Sequence, residues 1–213
     1  METERLIARL ADDLPPVRPL AGPGVRLARW LLMSLPAVAV VAWMAGLQAD
    51  LATRLADPGF LVAEGAALLT ALAGAYAALC AGLPDQPGWK LWLPLAPLAL
   101  WLGLLGRQCL AVLVRVGPDG LRVTSDLMCL PAVALGGLVP AIAILAMLRR
   151  GGHLRATPAC LCGALAAAAL GEAALRLYHA EDAAIMVLVW QLGSVALFSL
   201  AAGAIGRGIV AGR

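Results

Sequence analysis

The chain has 213 residues, of which 62% are hydrophobic and 14% charged, with a net charge of +3. An average soluble domain is roughly a quarter charged, so this composition excludes an ordinary soluble enzyme and a disordered tail. The basic residues are scattered and the six Trp are not interleaved with Lys or Arg, so no direct nucleic-acid partner is expected.

The chain opens METERLIARLADDLPPVRP, with acids where a secretory signal has its basic region, and sustained apolarity begins only near Leu27. Residues 3–14 suit a short helix: Thr3 can cap it, and Glu4 sits well in the first turn. Leu6, Ile7, Leu10 and Leu14 fall on one apolar stripe, with Arg5, Arg9, Asp12 and Asp13 off it. Pro15-Pro16 ends the helix, and the chain continues to residue 24 as a semi-rigid linker. A helix this short is marginal alone in water, so its stripe must be covered. A membrane surface or a groove on a soluble partner would each do so.

Residues 25–206 hold six apolar segments: Val25–Leu47, Pro58–Leu83, Trp89–Leu113, Met128–Leu148, Thr157–Leu177 and Ala183–Gly206. A hydrocarbon core about 30 Å thick needs about 20 apolar residues per crossing. Each segment is long enough, and Pro/Gly/Asp clusters separate them. Backbone polar groups in lipid must be bonded internally, so the fold class expected is all-α: a polytopic six-helix transmembrane bundle behind a short cytoplasmic amphipathic helix. The second and fifth segments, rich in Ala and Gly, should be the inner helices. With the N-terminus inside, eleven of the sixteen Lys and Arg fall on the inner side. This bias predicts a bacterial inner-membrane protein with both termini cytoplasmic, residues 207–213 forming the tail.

Three ionisable residues lie within the segments. Glu64, Arg107 and Glu172 share one depth, roughly 8 Å below the outer edge at 1.5 Å per residue. Charges in lipid face one another or a wet cavity, so Arg107 is expected to pair with Glu172 or Glu64. Such a layer either fixes helix register or begins an ion path. The lack of ionisable groups near the midplane counts against a pump.

The five cysteines form no CxxC and are odd in number, which argues against a disulfide framework. On the outer side, Cys129 opens the fourth segment, Cys109 lies near the end of the third, and His179 sits in the last loop. Thiolate and imidazole are good ligands for zinc or a thiophilic metal. Their spacing matches no zinc motif, and two packing thiols with a solvated His fit equally well. No metal site, cofactor motif or enzyme signature is present, and no catalytic activity is expected.

The stretches LIARLADDLPPVRPL (6–20), LADPGFLVAEGAALLTALAGAYAAL (55–79), WLPLAPLALWLGLLGRQCLAV (92–112), Cys-Leu-Pro (129–131) and LYHAEDAAIMVLVWQ (177–191) follow in order. With them the chain resembles the NrsF-like family of bacterial membrane anti-sigma factors. The resemblance implies that the N-terminal segment, residues 1–24, holds an extracytoplasmic-function sigma factor at the membrane. It also implies a periplasmic sensor of metal or oxidative stress built on two cysteines. One matches Cys129; the other falls at His179, so a disulfide between those positions is impossible here while shared metal ligation is not. The expected function is an integral membrane anti-sigma factor, with the lipid bilayer and a sigma factor as partners. The alternative from another class is a small transporter or channel. Nothing in the sequence fixes an oligomeric state.

Overall fold

The computed structural model describes residues 2–12, 19–117, 129–151 and 155–178, together with 193, 196–197 and 200–201. Among these residues the chain is all-α, with seven α-helices and one 3-10 turn. Helix α1 spans Glu2–Asp12, α2 Pro23–Ala45, α3 Leu51–Leu55, α4 Pro58–Ala81, α5 Leu95–Val116, α6 Cys129–Arg149 and α7 Ala156–Tyr178. Four runs, Pro23–Ala45, Pro58–Ala81, Gly88–Arg115 and Ala156–Tyr178, are long and apolar enough to cross a membrane. The fourth expected segment contributes the shorter apolar run Leu135–Arg149. The sixth, Ala183–Gly206, lies almost wholly outside the described residues.

The helix ends follow from local chemistry. Pro23 and Pro58 open α2 and α4, where a missing N–H costs nothing. Asp57 caps α4, its carboxylate accepting from the Gly59 and Phe60 amides at 3.0 and 3.3 Å. Gly46 ends α2 and Gly117 ends α5, with φ of 86° and 77° that only glycine adopts freely. The third segment departs from a single straight helix. It enters as a 3-10 turn, Gly88–Trp92, and becomes α-helical at Leu95. Pro94 and Pro97 lack the amide hydrogens a continuous helix would use there.

Helices α4 and α7 form the centre, and α6 and α2 pack around them. Small residues dominate what α4 and α7 give to the core: Ala66, Ala67, Ala71, Ala75 and Ala78 from α4, and Ala159, Ala166, Ala169 and Ala173 from α7; a Cβ added at Gly74 of α4 would lie 3.0 Å from the Cys162 carbonyl oxygen of α7. A Cβ added at Gly171 of α7 would lie 2.8 Å from the Gly137 nitrogen of α6, so this crossing admits nothing larger than hydrogen. Helix α5 lies outside, against α4, through Leu98, Trp101, Leu104 and Leu105.

Two polar ties fix the assembly. The Trp30 indole of α2 donates to the Pro140 carbonyl of α6 at 2.9 Å. Arg26, also on α2 and buried, donates to the Met147 carbonyl at 2.7 Å and the Leu79 carbonyl at 3.4 Å. Those carbonyls belong to the last turns of α6 and α4, where unpaired acceptors and the negative end of the helix dipole favour a cation.

Candidate functional site

At the opposite end, where α4 begins and α7 finishes, the polar residues within the helices converge. Glu64 lies on α4, one turn past Phe60. Glu172 and Arg176 lie four apart on α7 and so share a face. Glu172 is 0% exposed and Arg176 8% exposed. Arg176 Nη1 stands 3.5 Å from Glu64 Oε2. That distance gives Coulomb attraction but exceeds the 2.7–2.9 Å of a strong charge-assisted hydrogen bond. The Arg176 guanidinium also rests over the Phe60 ring, 4.7 Å from its centre. Both Glu64 and Arg176 are within electrostatic reach of Glu172, whose two oxygens have no hydrogen-bond partner among the described residues.

The three-residue layer read from the sequence is therefore corrected at one position. Arg107 does not join the acids: its side chain is exposed on α5. Helix α5 turns Leu98, Trp101 and Leu105 toward α4. Residue 107 then lies about 200° around from residue 105, at about 100° per residue. The cation that meets Glu64 is Arg176. Its signal was in the sequence as the i, i+4 spacing from Glu172, hidden by its closeness to the loop that follows.

A cavity of about 410 Å³ opens beside this cluster. Asp50, Thr53 and Arg54 wall it from the α3 segment, Asp57 and Phe60 from α4, Gln108 from α5 and Arg176 from α7. Arg54 Nε donates to Asp50 Oδ2 at 2.9 Å. That bond holds the Asp50 carboxyl below its ordinary range. The α2–α3 link is tied to α7 by Gln48, whose amide nitrogen donates to the Arg176 carbonyl at 3.1 Å.

Cys109 is half-buried on α5. His179 and the side chain of Cys129 lie outside the described residues, so their juxtaposition belongs to the sequence reading. Among the described residues, no group of three or more His, Cys, Asp or Glu is arranged to hold a metal ion.

In the N-terminal segment, Leu6, Ile7 and Leu10 on α1 are 57, 60 and 59% exposed, and Arg5 is exposed. Leu14 and the side chain of Arg9 lie outside the described residues. An apolar triplet this open on a helix of 11 residues is unusual without something to cover it.

The family model described as NrsF, negative regulator of sigma F, matches residues 10–211. The chain belongs to the NrsF family. Comparison with curated proteins and with solved structures gives no match. The NrsF match takes in Glu64, Glu172 and Arg176 as well as Cys129 and His179, and it begins at Leu10 within α1. Its description is that of a regulator acting on a sigma factor, not of a catalyst.

Proposed function

We propose that the chain is an integral membrane anti-sigma factor of six spans. Its α1 helix sequesters an extracytoplasmic-function sigma factor on the cytoplasmic side, and a periplasmic signal releases it. The observation that carries this reading is the exposed triplet Leu6, Ile7 and Leu10 in a chain of the NrsF family. The triplet is the face a helix offers to an apolar groove; in the sequence the apolar stripe runs on to Leu14, with Arg5 and Arg9 off it. The two membrane ends have separate roles in this scheme. The Glu64–Arg176–Glu172 cluster faces the periplasm, where Cys129, His179 and Cys109 form the second candidate for sensing. The Arg26 tie faces the cytoplasm beside the linker to α1.

Regulation is favoured over transport by the character of the α4–α7 seam. Below Glu64 and Glu172 its buried residues are Ala, Gly, Leu and Cys. The one hydroxyl, Thr70, is already bonded to the Ala66 carbonyl at 2.8 Å. A permeation path would need polar groups there.

The test is co-purification of the sigma factor with full-length protein carrying Leu6→Asp and Leu10→Asp. Two buried leucines contribute about 1.5–3 kcal/mol each, so affinity should fall about a hundredfold or more while membrane insertion is kept. Undiminished co-purification with this variant removes the docking helix from the scheme.

A further inference from the structure

We propose that the apolar groove between α5 and α7, at the basic end of the bundle, binds one anionic phospholipid, with an acyl chain in the groove and the phosphate on Arg155. The site stands apart from the sigma-factor reading and needs only a chain that spans a membrane.

Helix α5 packs on α4 and leaves a gap toward α7. The gap is a groove of about 530 Å³. Leu95, Leu98 and Leu102 wall it from α5, Leu161 and Leu165 from α7, and Leu200 from the sixth apolar segment. None of its described walls carries a charged residue. Leu102 lies seven residues past Leu95, and Leu165 nine past Ala156, which is about 10 and 14 Å of helix. Half of a hydrocarbon core about 30 Å thick is about 15 Å, so the groove ends within one leaflet. An acyl chain of that leaflet has the matching reach and polarity.

The tail alone selects nothing, since bulk lipid is as apolar as these leucines. Selection comes from the mouth. It opens at the 3-10 turn Gly88–Trp92, which gives Leu91 and Trp92 to the wall. The Arg155 guanidinium lies against this turn: a Cβ added at Gly88 would be 3.4 Å from its Nη1. Arg155 is exposed, and its side chain has no acid or other acceptor among the described residues. Lys90, in the same turn, adds a second positive charge. Its ammonium donates to the Gln86 amide oxygen and stands 5.5 Å from the Tyr76 ring centre, and both partners are neutral. Asp85, the acid of this end, is exposed and accepts from Gln86 Nε2 at 3.0 Å. Two cations therefore meet one acid. A guanidinium fork fits a phosphate. The exposed Trp92 has an indole N–H that can donate to an ester oxygen. A zwitterionic headgroup brings its own cation to this mouth and loses the advantage. The bound chain would bridge α5 to α7 where the protein itself leaves space. With the basic end inside, the leaflet is the cytoplasmic one.

The test uses full-length protein purified in mild detergent, given dioleoyl-phosphatidylglycerol and dioleoyl-phosphatidylcholine in equal amounts. Native mass spectrometry reads the lipid retained per chain. One phosphatidylglycerol should be kept, with about tenfold preference over phosphatidylcholine. Arg155→Gln should reduce that preference to about twofold or less. Leu165→Trp, which narrows the groove and adds no charge, should lower phosphatidylglycerol retention about tenfold, and it decides the matter if the first variant fails to insert. Glycerol 3-phosphate, which has the phosphate without a chain, should not compete. The proposal is overturned if the two lipids are kept equally, if glycerol 3-phosphate displaces the lipid at equal concentration, or if either inserted variant matches the parent within about twofold.

Discussion

At the scale of single residues, the decisive fact is which arginine faces the acids. Depth along the segments selects Arg107 and passes over Arg176, which stands one residue from the end of its segment; helix register reverses that choice. The apolar residues of α5 at 98, 101, 104 and 105 define a face that already excludes 107. The four-residue spacing of Glu172 and Arg176 puts both on one face of α7. The sequence held both facts, but depth alone does not weigh them. Removing one partner of a buried pair costs about 3–5 kcal/mol, because the other charge stays uncompensated. Arg176→Gln leaves two acids without their cation and should lower the thermal stability of the nanodisc-reconstituted protein sharply. Arg107→Gln touches an exposed side chain and should stay within about 0.5 kcal/mol of the parent. Equal losses in the two melting curves would reverse the assignment. Asp50 adds a small pH dependence of its own. Its carboxyl is held below the ordinary range by the Arg54 hydrogen bond. Its contribution is therefore present above the unfolded value of about 3.9 and lost as pH falls through the lower folded value. The pair is open to solvent, so the effect is small. Melting curves of the parent and Asp50→Asn should differ slightly at neutral pH and coincide once the carboxyl is protonated.

At the scale of elements, most of the boundaries were legible because the punctuation is strong. The segment expected at Pro58–Leu83 is the helix Pro58–Ala81, and the one expected at Thr157–Leu177 is Ala156–Tyr178. Asp-Pro at the start of α4 and glycines after α2 and α5 state where helices begin and end. The 3-10 entry to α5 was not legible from apolarity, since Trp89, Leu91, Trp92 and Leu93 satisfy a helix or a turn equally; the two prolines decide it. The central place of α4 and α7 was readable from their Ala and Gly content, because lipid gives no hydrophobic reason to bury Leu over Ala and close approach dominates. Close approach also yields a sharp prediction. At Gly171 an added methyl meets the α6 backbone 2.8 Å away, and backbone cannot rotate aside. Gly171→Ala should part α6 from α7 and cost about 1–3 kcal/mol as overpacking. Gly106→Ala, on α5 with nothing within 4 Å of the new methyl, should be neutral or gain up to about 1 kcal/mol from helix propensity. Thermal melts of the two variants in the same nanodiscs check the contrast.

At the scale of the whole molecule, the two ends of the bundle differ in chemistry, and the difference bears on direction. Among the described residues of the bundle, one end holds Asp50, Asp57, Glu64 and Glu172 with Arg54, Arg107, Arg115 and Arg176. The other holds Arg26, Arg29, Lys90, Arg149, Arg150 and Arg155, with Asp85 as its acid. Exposed Trp89 and Trp92 stand at the basic end and exposed Trp43 at the acidic end, the positions where amphipathic rings settle at a membrane surface. Helix α4 runs the full distance, from the Asp57 cap and Glu64 to the Leu79 carbonyl that accepts from Arg26. A shift of α4 against α7 at the acidic end therefore bears on the residue that anchors the start of α2, just after the linker from α1. A near-complete switch requires the signal to prefer the releasing state by about 5.5 kcal/mol, close to the cost of uncoupling one buried ion pair. The scheme works in one orientation only, with the basic end and α1 in the cytoplasm. Alkaline phosphatase, which is active only outside the inner membrane, reports this when fused after Gly120 or after Gly151. The positive-inside bias predicts activity for the Gly120 fusion, three residues past Gly117, and none for the Gly151 fusion beside Arg149 and Arg150. The reverse pattern would put Leu6, Ile7 and Leu10 in the periplasm, out of reach of any sigma factor.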